Sequence, residues 1–225
     1  MPAIRFLGHA CFELTEAEVN VLIDPFLTGN PKAAATADEV DPTHIFVTHG
    51  HADHYGDVVD IAKRTGAEVV TVVETANEIA EGHDPVTAPN LGGTVDYDWG
   101  WVKFVPAWHT STSPGGTVAT AAGVVVEIGG KTIYHLGDTA LFSDMGLVKR
   151  RHPVDVALVP IGGHYTMDRW DAVIACDFIE ADRVIPCHYD TFPAIEADAE
   201  AFKADVERDT PSEVVILQPG ETYEA

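Results

Sequence analysis

Thr48-His49-Gly50-His51-Ala52-Asp53-His54-Tyr55 places three imidazoles and a carboxylate within six residues. An apolar run, Ile45-Phe46-Val47, leads into the cluster, and an amphipathic helical pattern from Tyr55 to Thr65 leads out of it. In an extended turn, residues two apart project to the same side, so His49 and His51 can serve one ligand position. Asp53 and His54, at the start of the helix, can turn toward a second position nearby. Imidazole and carboxylate donors suit zinc, manganese or iron, and the lack of cysteine in the cluster argues against a closed structural zinc knuckle. Helix capping would account for Asp53 alone but leaves three adjacent histidines unexplained.

Four clustered donors cannot fill two coordination spheres, so other parts of the chain should contribute. His109 follows Phe104-Val105-Pro106-Ala107-Trp108, Asp138 follows Thr132 to Gly137, and His188 follows Arg183 to Cys187. Each stands just beyond an apolar strand pattern. Singly, His109 and His188 could be loop residues and Asp138 a turn former; the recurrence of strand-then-ligand points to one metal site. Gly162-Gly163-His164-Tyr165 also follows an apolar strand and is expected to open a helix. Paired glycines allow close backbone approach, and a helix start offers N–H groups to an anion. His164 could polarise a substrate oxygen or hydrogen-bond within its own loop. His135 precedes Asp138 but points to the other side by strand alternation, which suits a place beneath the ligands or in the core. His44, His83 and His152 have no partners nearby in sequence and read as structural or exposed.

The elements that must position these residues are short and β-rich in the first half: Ile4–Leu7, Cys11–Leu14, Val19–Ile23, His44–Thr48, Glu68–Val73, Thr94–Tyr97 and Val102–Pro106. Helical patterns cover Tyr55–Thr65 and Thr75–Glu81. The second half continues with strands Ala121–Ile128, Lys131–His135 and Val154–Pro160. Helices over Thr166–Ala181 and Glu196–Arg208 are then each followed by a strand, Arg183–Pro186 and Val214–Leu217. No Gly-, Ser- or Pro-rich linker divides the chain, so residues 1–225 read as a single α/β domain of layered sheets. A faint internal echo supports two related halves. Asn20-Val21-Leu22-Ile23-Asp24 and Lys131 to Asp138 both run from a strand into an Asp-bearing turn. His44 to His51 and Val156 to Tyr165 both end a strand in a Gly-containing turn with histidine.

The pattern H-x-H-x-D-H at His49–His54, followed by His109, Asp138 and His188, resembles the metallo-β-lactamase superfamily. The segments LGHACFEL, LIDPFLTGNP, YHLGDTALFSDM, PIGGHYTMD and VIPCHYDTFP are similar to the uncharacterised metal-dependent hydrolase family in the branch that includes L-ascorbate-6-phosphate lactonase, from about Ile4 to Pro193. The resemblance implies a four-layer αββα sandwich with two divalent metal ions, zinc or else manganese or iron. It puts His49, His51 and His109 on one metal, Asp53, His54 and His188 on the other, and Asp138 between them. It also places His9 near the site and Asp24 beneath it, although His9 could be a plain hairpin residue and Asp24 an Asp-Pro turn. A hydroxide bridging the metals would be the nucleophile. Asp53 would orient it or carry a proton to the leaving group, with His9 or His164 stabilising the oxyanion. The expected reaction is hydrolysis of a small-molecule ester, lactone, amide or phosphodiester. The rivals are a non-catalytic metal-binding or sensing protein on the same fold, and a nuclease.

The remaining composition narrows partners. The 225 residues carry 36 acidic against 13 basic side chains, a formal net charge of −23. Nucleic acid and anionic membrane surfaces both demand a Lys/Arg footprint that this chain lacks. Any anionic substrate therefore needs a local cation, for which Arg5, Lys32, Lys103 and Arg169 are available. The acidity is also what a salt-rich milieu would favour. With 46% apolar residues and a mean hydropathy of +0.03, the chain is neither disordered nor fibrous. No apolar run reaches the roughly 18 residues of a membrane span, and Met1–Leu14 lacks the pattern of a secretory signal, so the cytoplasm is expected. Cys11, Cys176 and Cys187 are widely spaced and odd in number, which predicts reduced, buried thiols. Homo-oligomers are possible.

Overall fold

The computed structural model describes residues 1–225. Alternating apolar residues build a first sheet from β1 (Ala3–Gly8), β2 (Cys11–Glu16), β3 (Val19–Ile23), β4 (His44–Phe46), β5 (Glu68–Val70) and β6 (Val86–Thr87). A second follows from β7 (Thr94–Tyr97), β8 (Gly100–Pro106), β9 (Ala122–Ile128), β10 (Lys131–His135), β11 (Val156–Pro160), β12 (Arg183–Cys187) and β13 (Glu213–Val214). The chain ends in β14 (Thr222–Glu224), which returns to pair antiparallel with β1, so the strand orders are β14-β1-β2-β3-β4-β5-β6 and β13-β12-β11-β10-β9-β8-β7.

Both sheets begin antiparallel and become parallel, at β3 in the first and β10 in the second. The internal echo in the sequence thus corresponds to a topological one: β3 and β10 both lead to an aspartate, β4 and β11 both lead to a histidine turn. Strand alternation splits each strand between two layers. Val21 and Ile23 of β3, and Val156 and Leu158 of β11, meet between the sheets in one buried cluster. Leu22 faces outward onto α2 (Val58–Thr65) and α3 (Val73–Ala80), which follow the single-turn α1 (Ala52–Tyr55). On the opposite side Ala157 and Val159 face α5 (Arg169–Ile179) and α6 (Ala199–Asp209), beyond the short α4 (Leu147–Arg151). The four layers are the expected αββα sandwich.

Strand direction then places the chemistry. Through successive antiparallel and parallel pairings, β1, β3 and β4 run the same way in one sheet, and β8, β10, β11 and β12 the same way in the other. Their carboxyl ends emerge at shared edges, carrying His9, Asp24, His49, His109, Asp138 and His188.

Several boundaries differ from expectation for local reasons. The helix expected over Tyr55–Thr65 is broken at Gly56, where a Cβ would lie 2.3 Å from the Pro25 carbonyl oxygen. The chain there passes too close to the first sheet's loop for any side chain, and Asp57 accepts the N–H groups of Leu27 and Thr28 across the same contact. The helix expected from Thr166 begins only at Arg169, because Asp168 caps it by accepting from the N–H groups of Trp170 and Asp171. β5 stops at Val70 and α3 starts at Val73, so only the first half of the run Glu68–Val73 is strand, and its last residue already opens a helix. The three cysteines are buried and unpaired. No helix is long and apolar enough to cross a membrane.

Candidate metal centre

The turn after β4 carries His49 and His51, the latter in extended backbone, and passes straight into α1, which presents Asp53 and His54. Spacing of two brings His49 Nε2 and His51 Nδ1 to 3.0 Å from each other, and His109 joins them to form one donor group. Asp53, His54 and His188 gather with His9 as a second group, and Asp138 meets His49 and His54 in a third. Asp138 faces both sides: Oδ1 is 3.2 Å from His54 Nε2, and Oδ2 is 3.2 Å from His188 Nε2, 3.5 Å from His109 Nε2 and 3.9 Å from His49 Nε2. The structure therefore brings all seven expected ligand residues together.

Beneath them Asp24 is fully buried at the end of β3. Its Oδ1 accepts the Thr48 N–H at 2.8 Å, and Oδ2 accepts the Thr48 hydroxyl at 2.7 Å and faces His54 Nδ1 at 2.7 Å. Because a carboxylate only accepts, His54 must carry its proton on Nδ1 toward Asp24, which turns a bare Nε2 toward Asp138. The Thr48 hydroxyl, having donated to Asp24, accepts from His49 Nδ1 at 3.0 Å and so leaves His49 Nε2 bare as well. One aspartate thereby sets the tautomer of a histidine in each donor group, the service that metal-ligating imidazoles require. Thr48 was within the motif, but its relay role has no local sequence signature.

His9, at the end of β1, uses both ring nitrogens: Nδ1 meets the Thr191 hydroxyl at 2.9 Å and Nε2 meets Asp53 Oδ2 at 3.2 Å. Burial brings its pKa down to about 4 despite the Asp53 carboxylate, so the ring is neutral and donates from Nε2 while Nδ1 accepts from Thr191. With no nitrogen to spare, His9 holds Asp53 rather than joining the ligands. Thr191 is a residue that sequence reasoning missed; the only hint was its place three residues after His188.

His135 also uses both nitrogens. Nε2 donates to the Ala10 carbonyl at 2.9 Å, and Nδ1 accepts the Gly137 N–H at 3.0 Å, tying the turn before Asp138 to the first hairpin. His164 is exposed, its ring packs on Tyr165, and it stands outside every donor group. Its loop nonetheless borders the site, since the Met167 N–H donates to the Thr139 carbonyl at 3.1 Å. The helix N–H groups expected to greet an anion at this loop are taken by Asp168, and that expectation is corrected. The glycine pair does serve close approach, but to protein: a Cβ on Gly162 would lie 2.2 Å from the His188 carbonyl oxygen. His83 is buried against the Ala67 carbonyl, and His44 packs on Tyr97 and Trp99.

Backbone strain concentrates here. His9, Asp24 and His188 all adopt positive φ, of 61°, 49° and 53°, a region that non-glycine residues rarely occupy. A hydrogen bond from the His188 N–H to the His9 carbonyl at 2.7 Å, spanning the two sheets, holds two of the three.

The electrostatics call for cations. Burial pushes the Asp138 carboxyl up, but the neighbouring His54 and His188 outweigh it and hold it well below the usual carboxylate range. Burial likewise presses His54 down, and Asp138 and Asp24 outweigh it, holding that imidazole well above its ordinary value, so without a cation Nε2 holds a proton toward Asp138 and a bound cation would take that proton's place. Two carboxylates inside the protein thus demand compensating positive charge. The buried atoms His54 Nε2, Asp138 Oδ1 and both ring nitrogens of His188 have no hydrogen-bond partner, and unpaired buried polar atoms are rare. A nitrogen and oxygen donor set with orphaned inward-facing atoms fits a divalent transition metal.

Comparison with known proteins agrees. A family model described as a beta-lactamase superfamily domain matches residues 3–188. The chain is 49% identical to a UPF0173 metal-dependent hydrolase of Thermus thermophilus over 98% of both chains. It is likewise 49% identical to one of Methanopyrus kandleri, over 98% of this chain and 99% of that one. Among solved structures, the metallo hydrolase Igni18 of Ignicoccus hospitalis superposes with a TM-score of 0.91 at 33% identity, covering 100% of this chain and 99% of the other. With the sandwich, the donor groups and these similarities in agreement, the chain belongs to the β-lactamase superfamily and, within it, to the UPF0173 metal-dependent hydrolase family.

Proposed function

We propose that this chain is a metal-dependent hydrolase in which His49, His51, Asp53, His54, His109, Asp138 and His188 hold two divalent cations, zinc first and manganese or iron as alternatives. Its substrate class is a small-molecule ester, lactone or phosphodiester. The observation that carries the reading is the set of buried, partnerless donor atoms on His54, His188 and Asp138, all turned toward one another. Bound cations supply Lewis acidity, bringing a water's pKa toward about 7 and polarising an acyl or phosphoryl oxygen.

The protein's own residues account for the remainder. Asp24 and Thr48 keep the bare nitrogens of His54 and His49 aimed inward. The Asp53 side chain is about one-third exposed, whereas those of His54, Asp138 and His188 are buried, so Asp53 meets solvent and substrate first. Burial alone would raise its pKa, but the His9 hydrogen bond and the nearby imidazoles hold it ionised. An ionised carboxylate fixed at its far side by His9 is placed to accept a proton from an incoming water and return it to a leaving group. His164, on the exposed rim loop, is assigned to substrate contact.

Of the four cations available for an anionic substrate, Arg5 pairs with Glu13, Arg169 pairs with Asp205, and the Lys103 ammonium is taken by the Gly92 carbonyl and the Thr94 hydroxyl. Lys32 has no ion-pair partner, but the polar cleft of about 560 Å³ that it borders beside the His188 turn is also lined by Asp190, Glu196 and Asp198, so the cleft as a whole is acidic. An uncharged lactone or ester, or a substrate with a single negative group placed at Lys32, suits such a cleft better than a polyanion does. The test is hydrolysis of a panel of lactones, esters and phosphodiesters by purified protein, with and without chelator. Turnover of at least one that chelation abolishes is expected; no chelator-sensitive turnover on any would return the protein to a metal-binding or sensing role.

A further inference from the structure

We propose that a second site, a cavity of about 220 Å³ on the outer face of the second sheet, binds a small amphipathic carboxylate such as an aryl- or short-chain alkyl-carboxylic acid. The cavity lies outside the metal centre, and none of the seven ligand residues lines it. Its floor follows from strand register: Lys103 of β8 pairs with Val125 of β9, and Val125 pairs with Tyr134 of β10, so the three side chains form one row on the outer face. Phe142, Met145 and Val148, from the segment between β10 and β11, supply the roof.

Two observations specify the occupant. The first is Tyr134, 1% exposed, whose ring lies across Gly123 and whose hydroxyl makes no hydrogen bond within the protein. A phenol that lines an apolar cavity without a protein partner is free to donate to an acceptor oxygen there. Burial pushes the Tyr134 pKa up, which keeps the hydroxyl protonated and a donor.

The second is charge. In a chain with 36 acidic and 13 basic residues, Lys103 and Arg151 line this cavity and neither pairs with a carboxylate. The Lys103 ammonium reaches only the Gly92 carbonyl and the Thr94 hydroxyl. Their fields overlap at the neighbouring His152, whose pKa is lowered first by burial and then by Arg151 and Lys103. One carboxylate, Asp144, also lines the cavity, but it is exposed and takes the Ser143 hydroxyl, leaving the rim net cationic. Cavities of about 150 Å³ hold a benzene ring, and drug-sized ligands occupy roughly 300–1,000 Å³. The space here therefore suits one ring or a short chain with its acidic arm.

The probe is 4-phenylbutyrate, titrated calorimetrically into the metal-loaded full chain, with 4-phenylbutyramide as the uncharged control. Saturable one-to-one binding is expected, with the amide weaker by at least about tenfold because the charge-assisted contacts are lost. Val148→Phe, which fills the cavity from its half-buried roof, should abolish binding while thermal melting reports a folded protein. Arg151→Glu, at an exposed position with no partner to lose, should weaken it by at least about tenfold. His51→Ala, at the metal centre, should leave it intact. Absence of saturable binding, binding that Arg151→Glu leaves unchanged, or binding lost in His51→Ala would each overturn the proposal.

Discussion

Asp24→Asn is the substitution that tests the architecture beneath the ligands most directly. Asp24→Ala would be ambiguous: it orphans the Thr48 N–H, the Thr48 hydroxyl and His54 Nδ1 together. At about 1–3 kcal/mol per stranded buried donor, that loss approaches the whole stability of a typical domain, about 5–15 kcal/mol. Asparagine keeps the shape and an acceptor for the Thr48 N–H, but sets an amide NH2 where Oδ2 now accepts twice. Two donors then face a donor. The relief is for His54 to move its proton to Nε2, and for the Thr48 hydroxyl to turn and donate to His49 Nδ1, which moves that proton to Nε2 as well. Each change blocks a nitrogen that faces Asp138. Losing one hydrogen bond to a charged group costs about 1.5–3 kcal/mol, and each 1.4 kcal/mol is tenfold, so metal affinity should fall by about 10- to 150-fold. That range agrees with the roughly 10–100-fold typical of groups that orient ligating histidines. Competition against a chromophoric zinc chelator measures the affinity, and nitrogen-15 histidine spectra report the tautomers. A variant that folds, binds zinc within about twofold of the parent and keeps both histidines protonated on Nδ1 would refute the relay.

Four further outcomes are expected. Asp138→Ala should lose half or more of the bound metal by elemental analysis, since Asp138 faces ligands of both donor groups; full occupancy would remove it from between them. Gly162→Ala must displace the His188 carbonyl, so chemical denaturation should show a loss of about 2–4 kcal/mol together with weaker metal binding, whereas unchanged values would show that the loop yields freely. Glu78 of α3 accepts from Ser113 and is hydrogen-bonded by Thr117 and Gly115; burial opposes these contacts, yet its pKa is held below the ordinary value. A depressed folded pKa contributes stability above the unfolded pKa, near 4.5, and loses it as pH falls through the folded one, so parent and Glu78→Gln should differ at pH 7 and converge in acid, by urea denaturation at each pH. Finally, a net charge of −23 repels itself, and screening should raise the melting temperature from low salt to molar KCl; an unchanged melt would detach the acidity from salt adaptation.

The path from residues to site shows which information is local. Strand alternation is written residue by residue, so Val21, Leu22 and Ile23 already name their layers, and strands that lead to His49, His109, Asp138 and His188 already name the candidate ligands that the fold gathers. The echo between Asp24 and Asp138 carried real topology, because each follows the strand at which its sheet turns parallel. Other features lie between residues that no local pattern connects. Asp24 reaches His54 across 30 residues and His9 reaches Thr191 across 182, while Glu78 anchors the loop holding Ser113 from a helix face with no motif. The helix start at Arg169 depended on which acidic residue won the cap, and the rim position of His164 on where its loop closed. The cavity over Tyr134 exists only because β8, β9 and β10 align in one register under a roof from elsewhere in the chain. Sequence determined which residues stand at strand ends, since periodicity and side-chain chemistry are properties of neighbours. Tertiary structure decided which nitrogen carries each proton, since that depends on partners that only folding brings within 3 Å.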